Sequence, residues 1–195
     1  VNVEGQLMVL LANRYMQQYG ATPEQLAAVA VKNHRNGAMN PFAQRQKVRT
    51  LEEVLAPPYI AKPLTRLQCC PFGEGAAVVI VASEEAIARL RIDEKRLVRV
   101  IASVSRSEQL YPPGDNSDSE LTASTVRLAL DAAEVGPEEL DVIELHDAFT
   151  IEELLYIESI GLCGRGEAGP LVAAGEFDIG GRCALSPSGG LLSMG

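Results

Sequence analysis

The chain has 195 residues, of which 47% are apolar, and a formal net charge of −9. That apolar share is enough for a sizeable core and argues against a disordered chain, while the acidic balance argues against nucleic acid as the main partner. The longest wholly apolar run covers residues 76–82, far short of the roughly 20 residues that a membrane span needs. The N-terminal residues also lack the basic and apolar pattern of a secretory signal.

The first 60 residues are predicted to be helical and rich in loops. Apolar periodicity predicts a helix over residues 7–19. A capping box of Thr22 and Gln25 opens a second helix, and Thr50 and Glu53 repeat the device ahead of a short third one. No strand is predicted in this part.

From residue 75 onward, predicted strands and helices alternate. Apolar runs predict strands at residues 76–82, 97–103, 142–145 and 181–185, the first of them buried on both faces. Helices are predicted at residues 84–90, 121–134, 150–160 and 171–175, with a loop at residues 111–118. Thr150 and Glu153 are interpreted as a third capping box. The alternation indicates an α/β class with a largely central sheet.

Five basic residues form an island between Glu24 and Glu52, a window without any acidic residue: Lys32, Arg35, Arg45, Lys47 and Arg49. Such an island on an acidic protein is a candidate site for a phosphate-bearing ligand, because cations raise the local concentration of anions. The alternative is an ordinary solvated helix face, to which His34 is assigned.

The cysteines predict neither a metal site nor a disulfide framework. The four, Cys69, Cys70, Cys163 and Cys183, contain no C-x-x-C pair and lie far from both histidines in sequence. We therefore expect no bound metal, and reduced thiols that pack as small apolar residues in a cytoplasmic protein.

Three short stretches are candidates for chemistry. His146 follows a predicted strand and precedes a helix start, and ligands bind at this edge of α/β sheets. Histidine is suited to proton transfer or to holding an oxyanion near neutral pH. The paired glycines Gly189 and Gly190 allow close backbone approach and positive φ, and a two-glycine loop at residues 69–77 leads into a predicted strand. Taken alone, each stretch is more often structural than functional, the glycine pair most of all.

Together, in this order, four stretches resemble the thiolase superfamily, and most closely its sterol-carrier-protein-x-like, or lipid-transfer-protein-like, branch. Residues 146–149, His-Asp-Ala-Phe, resemble the H-D-C-F signature of that branch, which replaces the N-E-A-F of ordinary thiolases. Residues 180–195 resemble the stretch N-P-S-G-G-L…G-H-P, residues 69–83 a G-x-x-x-G-A-A strand, and residues 11–40 a helical segment of the branch. Two positions depart from it: Ala148 replaces the usual cysteine, and Ser186 the usual asparagine.

The resemblance implies a thiolase-like layered fold, with a mixed sheet and helices on both of its faces. It divides the chain into a helical loop-domain segment that covers CoA (residues 1–64), the last strand and helix of the N-terminal half (65–92) and the start of the C-terminal half (93–195), truncated before the G-H-P motif. None of the four cysteines matches the thiolase nucleophile. We therefore expect a segment that has no acyl-transfer turnover by itself.

The resemblance also implies a CoA thioester as substrate, no permanently bound cofactor, and C–C bond formation or cleavage in lipid or steroid side-chain metabolism. His146 is expected to help hold the enolate oxygen, Asp147 to orient the loop, and Phe149 to wall the acyl pocket. Backbone at Ser188, Gly189 and Gly190 would lie against the thioester, and the basic island would contact CoA phosphates.

Two alternatives stay open. Some members of this branch are retro-aldolases on acyl-CoA substrates, usually with a small OB-fold partner, and such a reaction on a β-hydroxyacyl-CoA needs no acyl-cysteine. The other alternative is a non-catalytic acyl-CoA-binding or scaffold subunit. A homodimer is expected for the complete protein, because thiolases join their N-terminal halves.

Overall fold

The computed structural model describes residues 3–107 and 117–194. In chain order the helices are α1 Val3–Tyr19, α2 Pro23–Met39, α3 Leu51–Leu55, α4 Glu84–Leu90, α5 Ser117–Ala133, α6 Thr150–Ile160, α7 Ala168–Ala173 and α8 Gly190–Ser193. The strands are β1 Tyr59–Ala61, β2 Leu64–Thr65, β3 Val142–Ile143 and β4 Ala184–Leu185. The loop predicted at residues 111–118 lies, up to residue 116, outside the described residues.

Helix α2 lies at the centre of the molecule. Its start is fixed as predicted, since the Thr22 hydroxyl accepts from the Gln25 N–H and the Gln25 side chain accepts from the Thr22 N–H. The capping box at Thr50 and Glu53 is likewise confirmed for α3. Helix α2 packs against α3, α6, α7 and α8, so its small apolar residues form the middle of the core.

Helix α6 spans the predicted residues, but the predicted capping box is wrong. Phe149 is the N-cap, and its N–H donates to Glu152 Oε2 at 2.8 Å. Glu153 is instead fully buried, because it turns inward to meet the buried ammonium group of Lys32, 3.1 Å away. A capping glutamate lies on the outside of its helix, so Glu153 cannot perform both roles.

Two short strand pairs are present in the described residues. Strands β3 and β4 are parallel, with Val142 opposite Ala184 and Ile143 opposite Leu185, near the positions that the sequence predicts. Strands β1 and β2 form an antiparallel pair that was not predicted, since two and three residues are too few to show a period of two.

The strands predicted at residues 76–82 and 97–103 are wrong for this chain. Neither stretch pairs with another strand among the described residues, and Val78, Val79, Ile80 and Val81 have 85–90% of their surface exposed. A β-strand needs a neighbour that accepts its backbone hydrogen bonds. The apolar pattern indicates only that these side chains favour burial, and none of the described residues forms a surface that covers them.

The mixture of helices with small parallel and antiparallel sheets confirms the α/β class. The prediction of a largely central sheet is wrong for the described residues, because their four strands form two separate pairs. The division into residues 1–64, 65–92 and 93–195 stays a prediction. None of the helices in the described part of the chain is both long and apolar enough to cross a membrane.

Candidate active site

The parallel pair β3–β4 brings two of the predicted stretches together. The Ser186 N–H donates to the Ile143 carbonyl at 2.8 Å, which continues the pairing by one residue beyond β4. Because parallel strands run in the same direction, the segments that follow them emerge at the same edge. Residues 144–149 and residues 186–191 therefore lie side by side.

His146 is open to solvent on the first of these segments. Its side chain is 69% exposed, and Nδ1 lies 3.9 Å from Glu152 Oε1 on the first turn of α6. The ring is thus not packed in hydrocarbon, and it is accessible to a ligand. Its predicted catalytic role stays a prediction.

Asp147, in contrast, is fully buried and joins the two segments. Its Oδ1 accepts from the Leu191 N–H at 2.7 Å, and its Oδ2 accepts from Asn33 Nδ2 on α2. Burial, and next the neighbouring Glu153 carboxylate, raise the pKa of Asp147 above its ordinary value, whereas the Leu191 N–H and Lys32 lower it. The side chain is placed to hold the loop that contains the paired glycines.

The paired glycines adopt backbone that other residues avoid. Gly189 has φ 105° and Gly190 has φ 57°. A Cβ on Gly189 would lie 2.7 Å from the Gly37 Cα, and one on Gly190 would collide with the Asp147 carboxylate. Both sites therefore require glycine, first for the backbone conformation and then for space.

The two-glycine stretch, residues 69–77, contacts the segment after β3 through its first two residues. The Cys70 N–H donates to the Ala148 carbonyl at 2.8 Å, and Cys69 forms an isolated antiparallel bridge with Phe149. The Phe149 side chain is buried within the hydrophobic core. Its assignment to the wall of an acyl pocket stays a prediction.

Three of the four thiols are poorly suited to nucleophilic attack. All four cysteines are free. Burial raises the pKa of Cys69 to about 12 and that of Cys163 to about 11, and it raises the pKa of Cys183 as well. Because the thiolate is the nucleophile, these three thiols remain in their unreactive form near neutral pH.

The basic island does not form one open cationic face. Lys32 is 2% exposed, and its Nζ donates to the Leu185 carbonyl at 2.8 Å in addition to its ion pair with Glu153. Arg45 is half-buried, and its Nη1 donates to the Cys69 and Leu192 carbonyls, each at 3.1 Å.

The other three cations lie nearer to solvent. Arg35 pairs with Asp178 at 2.5 Å, while Lys47 and Arg49 lie 3.8 and 3.4 Å from Glu53. These three side chains remain exposed enough to meet a ligand, which Lys32 is not. A role for the island in binding phosphate stays a prediction.

His34 is not on a solvated face, so that assignment is wrong. The ring is fully buried: its Nε2 lies 3.2 Å from the Leu67 carbonyl, and its Nδ1 lies 3.3 Å from Ser193 Oγ. Burial lowers the pKa of His34 to about 4. Helix α2 is surrounded by other elements, so even its polar residues become part of the interior.

A cleft of about 360 Å³ lies between α2, α3 and α7, with Arg35, Leu51 and Asp178 among its lining residues. Its lining includes neither His146 nor the glycine turn. Within residues 3–107 and 117–194, no group of three or more His, Cys, Asp and Glu side chains is arranged to hold a metal ion.

Comparison with known proteins places this arrangement in a family. The family model described as Thiolase C-terminal domain-like matches residues 104–195. The benzoylsuccinyl-CoA thiolase subunit BbsB of Thauera aromatica is 43% identical over 185 residues, which cover 94% of this chain and 48% of that protein. The chain belongs to the thiolase superfamily. Sterol carrier protein 2 of Gallus gallus is 36% identical over 197 residues, with 97% of this chain and 36% of that protein covered.

The solved structure of the Ltp2-ChsH2(DUF35) aldolase resembles this thiolase-superfamily chain with a TM-score of 0.77 and 28% identity, over 98% of the chain and 51% of its own. The thiolase-like fold expected from the sequence is thereby confirmed. The chain spans between about a third and a half of the length of the curated relatives just described.

Several side chains that hold the candidate site of this thiolase-superfamily member were not predicted from the sequence. Glu144 binds the Ser188 N–H and hydroxyl, both at 2.9 Å. The Nδ2 atoms of Asn36 and Asn40 donate to the Ser186 and Ser188 carbonyls, at 3.1 and 3.0 Å. The signal was present in part, because Asn33 and Asn36 lie three residues apart on one face of α2, and Asn40 is the C-cap of that helix.

Proposed function

We propose that this chain forms part of an acyl-CoA acyltransferase of the thiolase type, which makes or breaks a carbon–carbon bond next to a CoA thioester in lipid or steroid side-chain metabolism. The observation that carries the proposal is the placement of His146, open to solvent and next to the aspartate that holds the Gly189–Gly190 turn. Membership in the thiolase superfamily supports the reaction class.

The reaction needs a group that stabilises negative charge on an oxygen. In thiolysis of a β-ketoacyl-CoA, a thiolate adds to the β-carbon, and the bond between the α- and β-carbons breaks. Its electron pair moves to the thioester oxygen as an enolate, and the α-carbon then takes up a proton. His146 would donate a hydrogen bond to that oxygen, while Ser188, Gly189 and Gly190 let backbone approach the thioester.

A retro-aldolase is the second candidate, favoured by the likeness to the Ltp2-ChsH2(DUF35) aldolase. Here a β-hydroxyacyl-CoA loses its hydroxyl proton, and the same carbon–carbon bond breaks to give a carbonyl compound and the same enolate. No attacking thiolate is needed. Under this proposal the chain works with a small OB-fold partner protein.

Further expectations accompany both candidates. The substrate is the CoA thioester, no cofactor stays permanently bound, and the solvent-accessible members of the basic island, Arg35, Lys47 and Arg49, contact CoA phosphates. Phe149 contributes to the acyl pocket from the core side. We expect a cytoplasmic homodimer for the complete protein, and the free cysteines support a reducing compartment.

The experiment that tests the proposal is product analysis with the complete protein. It is incubated with a β-ketoacyl-CoA and with a β-hydroxyacyl-CoA, each with and without free CoA, and in the presence of candidate partner proteins. Consumption of the keto substrate only with free CoA identifies a thiolase, and CoA-independent release of a carbonyl compound identifies an aldolase. Binding of acyl-CoA without turnover under every condition would contradict both and leave a scaffold.

A further inference from the structure

Two carboxylates on one segment hold the glycine turn from its two ends. Glu144 lies two residues before His146 and accepts from Ser188 twice, through the backbone N–H to Oε1 and through the hydroxyl to Oε2, both at 2.9 Å. Asp147 lies one residue after His146 and accepts from the Leu191 N–H at 2.7 Å. The turn between these anchors contains Gly189 and Gly190.

The anchor at Asp147 is itself fixed from behind. Asn33 Nδ2 donates to Asp147 Oδ2 and also to Glu153 Oε2, at 3.0 Å in the second case. The Lys32 ammonium group pairs with Glu153. All four side chains are buried, so Asp147 has little freedom to move, and neither has the Leu191 N–H that it binds.

The anchor at Glu144 has a different character because it lies at the surface. A carboxylate that accepts two hydrogen bonds from one residue restricts that residue in direction as well as in distance. Asn40 adds a third restraint, since its Nδ2 donates to the Ser188 carbonyl at 3.0 Å. The Ser188 end of the turn is therefore held by geometry rather than by burial.

We propose that Glu144 and Asp147 are positioning residues, which fix the turn from Ser188 to Leu191 relative to His146 so that its backbone is in place before a thioester arrives. This inference rests on the proposed function, because it assigns the restraint to catalysis. Neither carboxylate touches the reacting atoms. The turn is ordered when the chain folds, so its conformational entropy is not lost again when the transition state forms, and this is what preorganisation means.

The first part of the test needs no activity. Amide hydrogen exchange at Ser188 and Leu191 is followed by NMR in this chain, for Glu144→Ala, Glu144→Gln, Asp147→Ala and the matched surface control Glu138→Ala. We expect exchange at Ser188 to rise about five- to tenfold in Glu144→Ala, and that at Leu191 to rise by a similar factor in Asp147→Ala, since each variant removes the acceptor and a lost hydrogen bond is worth about that factor. Glu138→Ala should change neither amide. Unchanged exchange at Ser188 in Glu144→Ala and at Leu191 in Asp147→Ala would overturn the proposal.

The second part uses the complete protein on the thioester that it consumes. Positioning predicts that Glu144→Ala lowers kcat about tenfold with little change in KM, and that Glu144→Gln, which keeps one acceptor for Ser188, recovers part of the loss. Faster amide exchange with an unchanged kcat would overturn the proposal. If the unmodified protein turns over no thioester, the proposed function fails, and the restraint is then judged by amide exchange alone.

Discussion

The burial of residues 76–82 and of residues 186–191 is the reverse of what their compositions suggest. The first stretch is wholly apolar, yet the side chains of Val78, Val79, Ile80 and Val81 are 85–90% exposed. The second is rich in serine and glycine, yet Ser186 and Gly190 are buried. The difference teaches that burial depends on partners as well as on hydropathy, because the serine–glycine turn finds hydrogen bonds on α2 and after β3, whereas residues 76–82 find no neighbouring strand among the described residues.

The largest effect is expected when a buried polar side chain that supports the glycine turn is removed. Lys32→Met leaves the Glu153 carboxylate buried without its cation, and we expect the free energy of unfolding to fall by about 3–5 kcal/mol. Urea denaturation of this chain measures the loss. The matched control is Lys47→Met, whose exposed pair with Glu53 at 3.8 Å should be worth less than about 1 kcal/mol.

The double variant Lys32→Met/Glu153→Leu removes both charges and should regain most of the stability lost in Lys32→Met. Equal losses for Lys32→Met and Lys47→Met would contradict the buried ion pair.

A second prediction concerns the loss of stability at acidic pH. The pKa of buried His34 is lowered to about 4, so the folded protein resists protonation of a ring that titrates near 6.5 when unfolded. The stability attached to the neutral ring is present above pH 6.5 and is lost as the pH falls from about 6.5 towards 4, by about 3 kcal/mol.

Thermal unfolding between pH 7 and pH 4 measures this dependence. His34→Gln, which removes the titrating ring, should flatten the acid limb relative to the unmodified chain. An identical acid limb in His34→Gln and the unmodified chain would show that another group titrates there.

A third prediction separates backbone strain from crowding at the turn. Gly190→Ala places a Cβ against the Asp147 carboxylate in a residue with φ 57°, and we expect it to lower the free energy of unfolding by about 2 kcal/mol. Gly20→Ala is the control, since φ is 70° there but nothing lies within 4 Å of the added atom, so only the strain of about 1 kcal/mol remains. Equal effects in the two variants would mean that Asp147 moves away without resistance.

The smallest effect is expected on the exposed stretch. Val79→Asp should change the free energy of unfolding of this chain by less than about 0.5 kcal/mol, because the side chain is 87% exposed. Leu154→Ala in the core of α6, which is fully buried, should cost about 2–5 kcal/mol in the same urea titration. A large loss in Val79→Asp would show that residues 76–82 are already packed.

The sequence predicted local features better than long-range ones. The capping boxes at Thr22 and Thr50 depend on neighbouring residues and are confirmed. The inward turn of Glu153 and the burial of His34 depend on residues that are far apart in the chain, such as Lys32 and Leu67, so no local pattern contained them. Ser186 is an intermediate case. Its φ of 46° lies in the left-handed region, which asparagine adopts more readily than most residues, and asparagine is the residue that the family usually has there.

The same distinction applies to the candidate site. The motif around His146 and the paired glycines identified two of its segments, because their spacing resembles that of a known family. The side chains that connect them, Glu144 and Asn33, follow only from the structure, since one comes after a two-residue strand and the other from α2.

The most direct test of the central claim is the turnover of the complete protein with His146→Ala, beside the surface control Glu176→Ala, on the CoA thioester that the unmodified protein consumes. If the imidazole stabilises the enolate oxygen, kcat falls about 100-fold or more in His146→Ala and stays at the unmodified value in Glu176→Ala. An unchanged kcat in His146→Ala would contradict the catalytic role of this residue and would favour a chain that binds or scaffolds acyl-CoA.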